Sequence, residues 1–128
     1  MIRGSDLLDL VCDKIAVLDL PSYVKDSELR YVAVNAAFAD LHNLSVESFL
    51  GRSDREILGN DLDALRDDRE RRVLVFGEEE ALQLRADPGG PTRVLHLERF
   101  FDDDDRLYVF AFMEEKSSAR PSDTSTAP

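Results

Sequence analysis

The chain has 128 residues and 43% apolar content, enough for one domain core, while its longest apolar runs fall far short of the ~20 residues that cross a bilayer. Sixteen Lys and Arg against 27 Asp and Glu leave a net charge of −11, which repels phosphate backbones and anionic lipid head groups and argues against a nucleic-acid or membrane partner. The single cysteine, Cys12, excludes an internal disulfide, and with no apolar signal stretch at the start the expected location is cytoplasmic.

Ser5 is placed to cap a helix in which Leu7, Leu8, Val11, Ile15 and Leu18 follow a 3.6-residue period and which ends before Pro21. Leu10 and Val17 lie off that stripe, so the helix offers apolar surface in two directions. Tyr23–Asp26 and Tyr31–Val34 are rich in β-branched and aromatic residues and, separated by Ser27-Glu28, predict a short antiparallel hairpin. Asn35 predicts a cap for a helix over residues 36–42, its side-chain oxygen taking a backbone N–H that the first turn leaves unpaired; Phe38 and Leu41 mark the buried face. Ser45 opens a short turn through Leu50, Gly51 breaks it, and Ser53 with Glu56 forms a capping box for the turn that reaches Leu58.

Asn60 opens a longer helix with Leu62, Leu65, Val73 and Phe76 on one face and Gly77 as its stop. Within it, the alternating charges from Arg66 to Arg72 read as a solvated face of i to i+4 pairs. Strands follow over residues 79–85, 92–100 and 107–113, joined by the turn Asp87-Pro88-Gly89-Gly90-Pro91 and by Asp102–Asp105. From Lys116 to Pro128 almost nothing can be buried, which predicts a disordered tail or linker. The expected organisation is therefore an N-terminal amphipathic helix over residues 1–20, a core over 21–115 and a tail over 116–128. The fold class is α+β: a five-stranded antiparallel sheet with short helices on one face.

Few residues suggest chemistry. The chain has no Gly-x-Ser-x-Gly elbow, no Walker loop and no cysteine with a nearby histidine partner, so no catalytic residue is assigned and the chain reads as a non-enzyme. Asp102–Asp105 lacks the glycine of a calcium loop and reads as a solvated turn, so no metal site is assigned. His42 and His96 read as structural. The competing class is a small cone-shaped α+β enzyme, similar to ketosteroid isomerase, with Asp54 or His96 as a base in an apolar pocket.

Three segments together resemble the PAS family: Tyr23-Val24-Lys25-Asp26, then Leu29 through Ala39 with Asn35 at its centre, then Gly51-Arg52-Ser53-Asp54-Arg55-Glu56-Ile57-Leu58. Arg71-Arg72-Val73-Leu74 with Gly77-Glu78 extends the likeness, which runs from about Leu18 to Glu114. Asn35, Gly51, Ser53 and Asp54 are the structural markers. Two departures stand out: Met113-Glu114-Glu115-Lys116 replaces the usual Asp-Ile-Thr-like junction, and the turn Ser27-Glu28-Leu29 lacks the usual glycine. In the flavin-binding branch a reactive cysteine sits three residues after the glycine; here that position is Asp54, and a carboxylate cannot form a sulfur–flavin adduct. Haem-binding members carry their histidine on the long helix, which here has none. No cofactor is expected.

The resemblance implies a sensory and dimerisation module of a bacterial signal-transduction protein, such as a sensor histidine kinase in a two-component system. It binds a small apolar or aromatic ligand or a protein partner, or serves as a ligand-free interaction domain. The implied ligand pocket, between sheet and short helices, would be lined by Phe38, Leu41, Phe49, Ile57, Leu58, Leu65, Val73, Leu82, Leu95, Leu97 and Phe110. The two apolar sides of the first helix suggest a homodimer through Leu7, Leu10, Val11, Cys12 and Val17, with Tyr108 and Phe112 of the last strand nearby; a signalling protein or output domain is the further partner.

Overall fold

The computed structural model describes residues 4–59, 64–85, 92–102 and 104–116. In chain order these form α1 (Gly4–Ala16), β1 (Ser22–Asp26), β2 (Tyr31–Val34), α2 (Ala36–Leu41), a single 3-10 turn (Val46–Ser48), α3 (Asp54–Leu58), α4 (Ala64–Phe76), β3 (Glu80–Arg85), β4 (Thr92–Phe101) and β5 (Leu107–Lys116). The strands make one antiparallel sheet in the order β2-β1-β5-β4-β3. The α+β architecture expected from the element order is the one observed. Leu62, the 87–91 turn, Asp103 and residues 117–128 of the predicted tail lie outside the described residues, as do the side chains of Leu7 and Leu65.

Period-two alternation gives the sheet two distinct faces. The inner face presents Tyr23, Tyr31, Leu82, Leu95, Leu97, Val109, Ala111 and Met113 to Phe38, Phe49, Val73 and Leu74 from the helices. The outer face presents Val24 and Tyr108 to Ile15 of α1, with Leu8, Val11, Leu18, Val32, Phe100 and Phe110 packed around them. The domain thus has two apolar layers, one on each side of the sheet.

Local signals set the short elements. The Asn35 Oδ1 accepts from Phe38 N at 3.0 Å, which caps α2, and also from Ser22 N at 3.0 Å. Its Nδ2 donates to the carbonyls of Ile15, Leu18 and Leu20, so one side chain caps one helix and pins the exit of another. Both halves of the Ser53–Glu56 capping box form on α3. Gly51 takes φ 78°, a left-handed conformation that spares it a side-chain penalty, and its N–H donates to Tyr31 O at 2.8 Å.

Three expectations change. Phe76 is 66% exposed, not on the buried face of α4. The run Arg66–Arg72 is not uniformly solvated either: Arg66 and Glu70, four apart, point into the protein with Val73 and Leu74. The last strand continues beyond residue 113 to Lys116, because it pairs with β4 back to Thr92.

Candidate functional site

The space between the inner sheet face and α3–α4 holds charge. Alternation from Tyr23 puts Lys25 on the inner face of β1, where it is completely buried. Its Nζ lies 2.6 Å from Asp54 Oδ2 and 2.7 Å from Glu70 Oε1. The α3 capping box sets Asp54 in the first turn of that helix, and the same Oδ2 is 3.0 Å from Arg66 Nη2. Tyr31 donates to Asp54 Oδ1 at 2.5 Å, and Tyr23 donates to Glu70 Oε2. The Lys25 ammonium also stands 4.7 Å from the Tyr31 ring centroid. Two cations, two anions and two phenols from β1, β2, α3 and α4 form one closed cluster.

The electrostatics follow from the geometry. Burial by itself raises the Asp54 carboxyl, but Arg66 and then Lys25, with the hydrogen bonds from Lys25 and Tyr31, outweigh it and hold the group below its ordinary value. Burial pushes the Tyr23 phenol well up, and the Glu70 carboxylate reinforces the shift. Tyr31 is raised mainly by burial, with Asp54 adding to it against the opposing Arg66. Both phenols therefore stay protonated and donate to the carboxylates. An acid held ionised by two cations is a poor general base, so Asp54 lacks the property the isomerase-like reading requires.

Beside the cluster, His42 at the end of α2 packs against Phe38 and Phe49, with ring centroids at 4.7 and 5.9 Å. Burial lowers its pKa first and the Arg66 charge adds to that, partly opposed by Asp54. Its Nε2 is buried and has no hydrogen-bond partner among the described residues. His96 lies on the opposite, outer face, stacked on Phe112 at 4.6 Å and 3.1 Å from Glu114, so it shares no cavity with Asp54.

Of the expected pocket residues, Phe38, Phe49, Val73, Leu82, Leu95 and Leu97 meet in the inner core, with Leu41 and Ile57 packed against it. Leu58 is partly buried on α3. Phe110 is a correction: directly opposite Val24 in the antiparallel register, it faces α1 on the other side of the sheet. The sequence reading left out Lys25, Arg66 and Glu70. The signals for them were present, Lys25 two residues after Tyr23 in a strand and Arg66 four before Glu70 on the helix stripe of Val73.

Of the expected dimer residues, Leu10 and Val17 are 56% and 80% exposed. Val11 packs on the chain's own sheet and Tyr108 is buried beneath α1, which corrects their placement on a free surface. Cys12 and Phe112 are partly buried. Burial and the neighbouring Asp9 and Asp13 raise the Cys12 thiol, which disfavours the nucleophilic thiolate. No helix among the described residues is long and apolar enough to cross a membrane.

An open antiparallel sheet with small helices on one face and an amphipathic helix on the other is an α+β layout with the charge cluster on its inner side. The family model described as PAS fold matches residues 16–115, and the chain belongs to the PAS family. Comparison with the curated proteins gives no match. Among solved structures, the chain is similar to the PAS domain of BvgS from Bordetella pertussis, with a TM-score of 0.68 at 16% identity over 88% of each chain. It is also similar to a sensory box sensor histidine kinase from Vibrio cholerae, with a TM-score of 0.65 at 17% identity over 88% of this chain and 91% of that one. A third similarity is to the Vibrio cholerae VqmA dimer, a LuxR-type receptor, with a TM-score of 0.66 at 19% identity; 86% of this chain covers 51% of that one, about half its length. Members of the family are generally sensory rather than catalytic.

Proposed function

We propose that the chain is the sensory and dimerisation module of a bacterial signal-transduction protein, such as a sensor histidine kinase, and that it works through its surfaces rather than through an interior cofactor. The observation that carries this reading is the Lys25–Asp54–Arg66–Glu70 cluster with Tyr23 and Tyr31. A ligand entering between sheet and helices would have to separate buried ions from their partners, at roughly 3–5 kcal/mol for each pair broken. The aromatic cluster of Tyr23, Tyr31, Phe38 and Phe49, with centroids 4.9–5.8 Å apart, fills the adjoining space. The interior is a strut that holds α3 and α4 to the sheet.

Signalling then belongs to α1 and the chain ends. Leu10 and Val17 project from α1 away from its own sheet and suit a second copy of the chain. Movement of α1 has a route to the output end: Asn35 grips the carbonyls of Ile15, Leu18 and Leu20, and Met113 N donates to Pro21 O at 2.8 Å.

Sedimentation equilibrium tests the dimer and native mass spectrometry tests the interior. The wild-type chain is expected at twice its 14.5 kDa mass, and Leu10→Asp with Val17→Asp at the monomer mass. A monomer at every concentration refutes the dimer. A retained small molecule that is lost when Phe38 or Phe49 is replaced by Ala refutes the self-filled interior.

A further inference from the structure

The outer sheet face carries a feature that neither the interior nor the dimer surface uses. Between α1 and the sheet lies a groove of about 250 Å³, walled by Val11, Lys14 and Ile15 and floored by Glu98, Phe100 and Phe110. The floor is aromatic: Phe100 stacks on Tyr108 at 5.2 Å with rings 19° apart, and Phe110 lies 5.7 Å from Phe112. Glu98 is directly opposite Phe110 in the β4–β5 register, so its carboxylate rises from among the rings. It is partly buried, and among the described residues it makes no ion pair or hydrogen bond. Lys14, exposed in the last turn of α1, stands at the rim without pairing to it.

A carboxylate that has lost part of its water without gaining a cation keeps most of its attraction for one. Ring faces beside it add to that attraction, because their quadrupoles also favour positive charge. The field of a chain with net charge −11 concentrates cations and excludes anions. The volume is slightly below the roughly 300–1,000 Å³ of pockets for drug-sized ligands, which fits a single ring with a short chain.

We propose that this groove is a binding site for a small aralkyl ammonium: a primary amine whose charge pairs with Glu98 while its ring lies on Phe100 and Phe110 against Val11 and Ile15. Lys14 is a competitor for Glu98, not a ligand for the amine. The site stands apart from the interior and does not depend on dimerisation.

The probe is phenethylamine, titrated into the full chain by calorimetry and by amide chemical-shift mapping. Saturable binding is expected, with the largest shifts in α1 and at residues 98–100 and 110. Glu98→Gln should weaken it about tenfold or more, the scale of a lost charged hydrogen bond. Lys14→Gln should bind at least as tightly as wild type, and 3-phenylpropionate, the matching anion, should not bind. Absence of saturable binding, equal affinity in Glu98→Gln, or equal binding of the anion overturns the proposal. Leu10→Asp with Val17→Asp should leave the affinity unchanged, which separates this site from the dimer reading.

Discussion

Leu29 takes φ 60° in the turn between β1 and β2, at the point where the sequence departs from its family by lacking a glycine. Asp26 makes the turn possible: its carbonyl accepts from Leu29 N at 2.9 Å, and its Oδ1 accepts from Glu28 N and Arg30 N. A left-handed conformation costs a residue with a Cβ roughly 1–2 kcal/mol. Leu29 offsets that with a nearly buried side chain in the inner core, worth about 1.5–3 kcal/mol. Leu29→Ala keeps the strain and loses the burial, so it should destabilise by about 2–5 kcal/mol in urea denaturation. Leu29→Gly loses the same burial but sheds the strain, and should be milder than Leu29→Ala by about 0.5–1 kcal/mol after its larger unfolded-state entropy. A glycine variant as unstable as the alanine one, or worse, would mean that Leu29 is not strained.

Elements whose signal is local were legible in the sequence. Asn35 and Ser53 mark helix starts because a cap is chemistry within four residues, and the β2 boundaries follow from a run of four β-branched, aromatic or small residues between polar ones. The charge cluster was legible only in part: period places Lys25 on the face of Tyr23 and Arg66 with Glu70 on the stripe of Val73, but a helix carrying Arg66 and Glu70 has the composition of a solvated one unless Lys25 and Asp54 are known to face it. Lys25 is acceptable inside only because Asp54 and Glu70, 29 and 45 positions away, are there too, and Arg66 because Asp54 faces it from another helix. That mutual dependence is measurable. Lys25→Met strands Glu70 and leaves Asp54 with Arg66 as its remaining cation, and should cost roughly 3–5 kcal/mol. Glu70→Gln added to it removes one stranded charge while leaving an amide oxygen for Tyr23, so the double variant should recover at least about 1 kcal/mol over the sum of the singles. Additive losses in a double-mutant cycle would show that Lys25 and Glu70 do not act as a pair.

For the whole molecule, the same burial fixes how stability responds to acid. His42 is held neutral by burial and by Arg66, so its folded pKa lies below the ordinary 6.5. As pH falls through 6.5 the unfolded chain takes up a proton that the folded chain refuses; the unfolded state then binds more protons, and stability falls with pH until the folded pKa is passed. Asp54, also lowered, acts with the same sign below 3.8, where the unfolded carboxyl protonates while the folded one stays ionised against Arg66 and Lys25. Urea midpoints measured from pH 7.5 to 3 should therefore fall in two steps. His42→Leu should remove the upper step, keep the lower one, and be no less stable than wild type at pH 7.5, since it also removes a buried nitrogen with no partner. His96→Gln, which alters the other histidine on the outer face, is the control. An upper step that survives His42→Leu and vanishes in His96→Gln would place the acid sensitivity on the outer face of the sheet, away from the buried charge cluster.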